Sequence, residues 1–446
     1  MIKSIFSQED VINKSYFDHF DKLDLKSSII IALKNNPLIQ QKSYQKNVYL
    51  YKLNQGKSSY YPKLDSIYGY KKNFSQYQKE TPTVNKQYYA GIDINQNFYD
   101  FGRTSNNVKI LDEYYEISLL DLEQQKEEIV FNVIQSYVNI LIQNQTLKAA
   151  EEYKNYYLRY RDFIKKQLEV GLKTYYELYN VEAELRNAEA DYIQYKNQVL
   201  LSKVQLFYHM GINENDTDNE FNKKMVHLQI KEIIPEELEN IFQKEKIRNL
   251  PLENINELYK IALMNRKDYK KQFKEVQIAR LTKELNSSEY LPILGASFQH
   301  YWNDENYRFN STNQKNWEMN IYFKIPIFEG FLTKNKVKEA EFLIKESLEK
   351  ERYLKNSIFL ELQTLLAQLQ ELKEKVEYYK ESLQFAKENL NLSEKRYMNG
   401  IGNFLELANA TSLYYTANKN YYNAFFQFYL KKIEIYKSMG ILMDII

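Results

Sequence analysis

The residues able to do chemistry in this chain are plentiful, but they do not converge. His19, His209, His227 and His300 lie far apart without ligand spacing, so no histidine-held metal is expected. There is no cysteine, which removes disulfides, thiolate metal sites, a cysteine nucleophile and a lipid-modified cysteine anchor. No phosphate loop, nucleophile elbow or His-Glu-x-x-His occurs. Glu and Lys recur at helical spacing, which reads as solvated faces. Neither a catalytic constellation nor a cofactor or metal is predicted. What remains is polar chemistry in rows: Asp65, Asp93, Glu318 and Lys324 alternate with apolar neighbours. They would either line an aqueous face of a sheet or sit hydrated at its edge. Two short turns, Val170-Gly171-Leu172 and Asn399-Gly400-Ile401, have glycine where a helix would end in the left-handed conformation, and Asn403 sits where it would cap the next helix.

The elements that position these residues follow from composition and pattern. Only 11 Gly and 7 Pro occur in 446 residues, which favours long uninterrupted helices over a loop-rich enzyme fold. Apolar residues make up 44%, enough for a core, and a formal charge of +2 argues against nucleic acid as a partner. The 41 tyrosines follow either from biased composition or from surfaces that meet water, lipid and other helices. No apolar run is long enough for a transmembrane helix. Gln8-Glu9-Asp10 interrupts the start, so it does not read as a secretory signal. That leaves a cytoplasmic chain or a mature, trimmed one, and the second is expected on the grounds below.

Laid over itself with a shift of about 230 residues, the chain repeats. Tyr61-Pro62-Lys63-Leu64 falls on Leu291-Pro292-Ile293-Leu294, Gly171 on Gly400, and Met210-Gly211-Ile212 on Met439-Gly440-Ile441. The expected organisation is a polar extension over 1–24, a first repeat over 25–212, a linker over 213–250, a second repeat over 251–441 and a tail over 442–446. Each repeat reads helix, β-hairpin, long helix, helix. The hairpins fall at 62–101 and 292–329, the long helices at 104–168 and 333–397, and the following helices at 175–211 and 404–439. The leading helix of the first repeat reads as continuous from Leu25 to Tyr60.

Within the hairpins the pattern has period two. Leu64, Tyr68, Tyr70 and Phe74 oppose Lys63, Asp65, Lys71 and Asn73, with a polar loop over 75–86. Trp317, Met319, Ile321, Phe323, Ile325 and Ile327 continue the pattern in the second repeat. Four such strands form either a soluble sheet or part of a transmembrane barrel, which would need an oligomer to close. Tyr88, Tyr89, Tyr301, Trp302 and Trp317 suit an aromatic girdle. Each long helix of ~65 residues would span roughly 97 Å. Leu362, Leu365, Leu369, Leu372, Val376, Tyr379, Leu383, Ala386 and Leu390 form a heptad seam. The first copy places Asn144 in a looser seam, so the second hairpin is expected to be the firmer one.

Both repeats, the two tips and the corners Asn97-Phe98-Tyr99-Asp100-Phe101-Gly102 and Pro326-Ile327-Phe328-Glu329-Gly330 together resemble the TolC family of outer-membrane export ducts, over about 25–445. The resemblance implies an α+β tandem-repeat protomer and a homotrimer. Its long antiparallel helical hairpins would form an α-barrel in the periplasm. Four strands from each chain would build a 12-stranded β-barrel in outer-membrane lipid. It further implies a passive exit duct of a tripartite efflux or type I secretion system, joined through a periplasmic adaptor (membrane fusion) protein to an inner-membrane pump of RND, ABC or MFS type, and a signal peptide already removed. The adaptor-docking tips would be Val170, Gly171, Leu172, Asn399, Gly400 and Ile401. The gate would use Glu406, Asn409 (where many members carry a second acid), the aromatic Tyr397 and the acid Glu177. Gly402 stands where the basic partner of the tyrosine is expected, so weaker locking through Lys395, Arg396 or Lys173 is expected instead. The alternative class is a soluble or surface coiled-coil scaffold.

Overall fold

The structure, a computed structural model, describes residues 22–75, 83–212, 229–231, 254–304 and 314–445. Most of the expected extension over 1–24 and linker over 213–250 lies outside the described residues, as do His19, His227 and parts of both hairpin loops. In order come β1 (Lys22–Leu23), α1 (Leu25–Asn35), α2 (Pro37–Lys57), β2 (Lys63–Ser75), β3 (Thr83–Tyr99), α3 (Arg103–Glu169) and α4 (Tyr175–Met210). They are followed by β4 (Gln229–Ile230), α5 (Ile255–Asn265), α6 (Lys267–Ser288), β5 (Ile293–Asp304), β6 (Gln314–Lys324), α7 (Leu332–Met398), α8 (Phe404–Ser438) and α9 (Leu442–Ile445). The chain divides into two compact units, and α3 and α7, each of 67 residues, contribute to both.

The first unit holds residues up to 41, 123–267 and those from 355 onward. Its leading helix is not continuous as expected. It breaks at Asn36, whose extended backbone (ψ 123°) is what a following proline imposes, and Pro37 opens α2 where its missing N–H costs nothing. The second repeat breaks at Arg266 (ψ 126°) without a proline. In both repeats a left-handed glycine closes on the break. A Cβ on Gly211 (φ 72°) would lie 2.5 Å from Asn36 Cα, and one on Gly440 (φ 72°) 2.8 Å from Arg266 N. Side chains tie these joints. Asn36 Nδ2 donates to His209 O at 2.8 Å, Arg266 to Ser438 O at 2.9 Å and Glu361 at 2.8 Å, and Lys267 to Gly440 O at 2.7 Å. β1 and β4 pair in parallel, and the buried Tyr137 hydroxyl donates to Lys231 O at 2.7 Å, with Leu23 O at 3.3 Å.

Burial reverses the expected order of firmness. The seam from Leu362 to Leu390 on α7 is buried or half-buried, but the middle of α3 is covered more completely, with Val130, Val133, Ile134, Tyr137, Val138 and Ile140 at 0% exposure. Near the tips α3 packs against α4, α7 and α8 alike, and Tyr378, Phe385 and Leu392, seven apart on α7, stay exposed.

The second unit, 42–122 and 268–354, contains the sheet in the order β2-β3-β5-β6, antiparallel throughout. β3 starts at Thr83, inside the expected loop, because its residues continue the ladder opposite Ser75. β6 stops at Lys324, short of Ile325 and Ile327, where Pro326 has no N–H to give. Leu64, Tyr68, Phe74, Trp317, Met319, Ile321 and Phe323 share an exposed apolar face. On the other face, register brings Asp65, Asp93, Gln299 and Glu318 into one transverse row. That face also carries three cross-strand Gly–Tyr pairs: Tyr89 against Gly69, Tyr301 against Gly91 and Tyr322 against Gly295. Tyr89 and Tyr301 therefore do not belong with Tyr88, Trp302 and Trp317, because strand alternation turns them to the polar side. Arg103 stitches the base of the sheet, donating to the carbonyls of Ser288 (3.1 Å), Glu289 (3.0 Å) and Leu291 (2.6 Å).

Candidate functional site at the hairpin tips

Both tips belong to the first unit. At the first, Gly171 (φ 77°) donates to Leu168 O at 3.0 Å and Leu172 N to Gln167 O at 2.9 Å, the pattern that closes a helix on a left-handed glycine. Thr174 then caps α4 in a reciprocal box with Glu177. At the second, Gly400 (φ 73°) donates to Tyr397 O and Ile401 N to Arg396 O, and Asn403 Oδ1 caps α8 by accepting from Glu406 N at 2.8 Å. Among the described residues a Cβ on Gly171 or Gly400 would meet nothing within 4 Å, so backbone conformation is what calls for glycine there. Val170, Leu172 and Ile401 are about two-thirds exposed, with Asn399 exposed beside them.

Behind the tips an aromatic cluster joins the two hairpins. Tyr157, Tyr160 and Ile164 of α3, Val181, Leu185 and Ala188 of α4, Leu390 and Tyr397 of α7, and Leu407 and Ala410 of α8 are buried together. Further along, Tyr153 stacks on Tyr415 (centroids 4.5 Å, planes 17° apart). There the hydroxyls are engaged: Tyr415 donates to Asp191 at 3.2 Å, Tyr414 to Glu152 at 3.4 Å, and Lys419 donates to Tyr195 at 2.7 Å. Burial raises the pKa of Tyr157, Tyr160 and Tyr415, and that of Tyr414 is pushed up to about 12, by burial first and by Glu152 second. Tyrosines at 153, 156, 157 and 160, spaced three and four apart, are the sequence signal for this cluster.

The four expected gate residues fall into three settings. Tyr397 is 1% exposed, with its ring among Tyr160, Phe163 and Phe404. Its hydroxyl is buried without a hydrogen-bond partner among the described residues, and burial, helped by the charge of Glu177, raises its pKa. Glu177 does not accept from that hydroxyl; it binds Lys173 at 3.0 Å. Glu406 is half-exposed and accepts from Arg396 Nε at 3.0 Å, so its charge is already matched within the chain. Asn409 is exposed. No cluster that could hold a metal ion occurs among the described residues.

The chain thus combines long helical hairpins, an antiparallel sheet with an apolar exposed face and two edges unpaired among the described residues, and glycine-closed tips. A sequence profile of the outer membrane efflux protein family matches residues 29–211 and 258–441, and the chain belongs to that family. The outer membrane protein TolC of Vibrio cholerae is 20% identical over 427 residues, covering 93% of this chain and 90% of its own. Among solved structures, VceC of Vibrio cholerae matches with a TM-score of 0.78 at 14% identity, over 93% of this chain and 96% of its own. The Campylobacter jejuni CmeC outer membrane channel matches with 0.78 at 16% identity, over 98% and 89%. At this distance the structural likenesses carry the fold, while the family carries the function: an efflux exit duct of the outer membrane. Channels of this family are trimeric and work with adaptor and pump partners. A soluble scaffold is not favoured.

Proposed function

We propose that three copies of this chain close a 12-stranded barrel by pairing β2 of one with β6 of the next, with the face bearing Leu64, Tyr68, Trp317 and Ile321 against lipid. Tyr88, Trp302 and Trp317 form the aromatic girdle. The row Asp65, Asp93, Gln299 and Glu318 lines the water-filled side. The turns Val170-Gly171-Leu172 and Asn399-Gly400-Ile401 receive the helical hairpin of a periplasmic adaptor, which joins the duct to an inner-membrane pump of RND, ABC or MFS type. Glu406 and Asn409 line the entrance, and Tyr397 and Glu177 belong to its closing contacts.

The observation that carries this reading is the sheet itself. Side chains such as Tyr68 and Trp317 are 78% and 70% exposed on an apolar face between unpaired edges, an arrangement that water would penalise and lipid would not. The test is extraction and conduction. The full chain is expected to require detergent, run as a heat-labile trimer and give discrete conductance steps in planar bilayers. A monomer soluble in buffer overturns the reading. Within it, Glu406→Gln is expected to weaken block by divalent cations; unchanged block and conductance remove Glu406 from the gate.

A further inference from the structure

Lys173, in the turn that closes the first hairpin, reaches the second. Its ammonium lies 4.7 Å from the centroid of the Tyr397 ring and 3.0 Å from Glu177 Oε1, with the lysine side chain only 19% exposed. A cation over an aromatic face gains most when water is kept away from it, and Glu177 fixes where the ammonium sits. The Tyr397 hydroxyl works the other way. It is buried with no hydrogen-bond partner among the described residues, while Glu177, the acid whose charge acts on it, is occupied by Lys173 and by the cap of α4. A buried hydroxyl left unpaired disfavours the state that buries it, and separation of the tips would return it to water.

We propose that Lys173 is the residue that holds the two tips shut, by gripping the face of the Tyr397 ring, and that the Tyr397 hydroxyl biases the same contact toward opening. The two halves of one side chain thus act with opposite signs. The ring is the handle, shared with Tyr160, Phe163 and Phe404, and the hydroxyl is a penalty carried by the shut state. This inverts the usual sense of removing a tyrosine hydroxyl from a latch. If the hydroxyl bonded an acid, Tyr397→Phe would loosen the tips. Here it keeps the ring, discards the unpaired group and tightens them.

The inference rests on reading the tips as the entrance of the duct. Three variants of the full-length protein test it in planar bilayers. Lys173→Met, which keeps the length and removes the charge, is expected to raise open probability about threefold to thirtyfold, the span of a desolvated cation–aromatic contact. Lys173→Arg restores the parent value. Tyr397→Phe lowers open probability about tenfold, the scale of one unpaired buried hydroxyl. A second readout does not need conduction. The chain has no cysteine of its own, so spin labels at Leu172→Cys and Ile401→Cys report tip separation in the detergent-purified protein. Lys173→Met should widen the distance distribution and Tyr397→Phe should narrow it. Opening or widening by Tyr397→Phe, or a Lys173→Met protein indistinguishable from its parent in both assays, overturns the proposal. If the distances respond as expected but no variant conducts, the latch stands and the duct reading fails.

Discussion

Gly211 and Gly171 end successive helices, α4 and α3, with nearly the same backbone, φ 72° and φ 77°, yet alanine at the two positions should have very different consequences. An L-residue in this region costs about 1–2 kcal/mol, and both variants carry that cost. At Gly171 the new methyl group enters open space, and nothing is added. At Gly211 it would lie 2.5 Å from Asn36 Cα, 2.8 Å from Asn36 N and 2.9 Å from Asn35 C. Carbon atoms in contact sit about 3.5–4.0 Å apart, and these neighbours are backbone, so the end of α4 must withdraw from the break by about 1 Å. That withdrawal also stretches the 2.8 Å bond from Asn36 to His209 O. Overpacking adds about 1–3 kcal/mol, giving about 2–5 kcal/mol for Gly211→Ala against about 1–2 kcal/mol for Gly171→Ala. Urea unfolding in detergent, followed by circular dichroism, measures the difference between the two. Asparagine separates the terms, because it adopts this backbone readily but still carries a Cβ. Gly171→Asn should therefore be nearly silent, while Gly211→Asn keeps the overpacking cost of about 1–3 kcal/mol. Equal losses at the two sites would refute the idea that close backbone approach is what requires glycine at 211.

Arg103 donates to three carbonyls at the end of α6, so Arg103→Met should cost about 1.5–3 kcal/mol and speed amide exchange around 288–291; Arg103→Lys should recover only part, since one ammonium cannot reach all three in the same geometry. The buried tyrosines predict an alkaline limit. Their pKa values are raised in the folded protein, to about 12 for Tyr414, so their contribution is complete below the unfolded value near ~10 and disappears as pH rises through the folded value. Titration by ultraviolet absorbance should show exposed tyrosines ionising first and a later group ionising together with loss of near-ultraviolet dichroism above pH ~10; a single wave near ~10 with no structural loss would contradict the packing of the cluster.

Much of this could be read from the sequence wherever one residue type admits one explanation. Gly171 and Gly400 mark left-handed helix ends because they follow long stretches without glycine, and the long helices show themselves by having no internal Gly or Pro. The break before α2 is written in Pro37, although the apolar stripe running through it reads as one helix. The matching break at Arg266 has no such mark; it is fixed by Gly440 and by bonds that Arg266 and Lys267 donate to carbonyls far along the chain, at Ser438 and Gly440, which no local pattern reports. Adjacent Tyr88 and Tyr89 look equivalent as aromatics, and only period two combined with the glycine opposite Tyr89 assigns them to different faces. At the tips, spacing finds Glu177, Tyr397 and Glu406. Whether each charge is free or matched depends on rotamers across hairpins, and Lys173 and Arg396 decide it.

The two glycine-seated joints are alike in compression and unlike in tension. Backbone rests on backbone in both, so a push along the helices meets the same incompressible contact. A pull meets different fastenings. The first joint is held by the neutral bond from Asn36 to His209 O. The second is held by two cations, Arg266 and Lys267, whose grip on Ser438 O and Gly440 O is anchored in turn by Glu361 and the buried Glu127. Under tension the first joint is therefore expected to yield before the second, so duplicated joints of one shape would differ in stiffness.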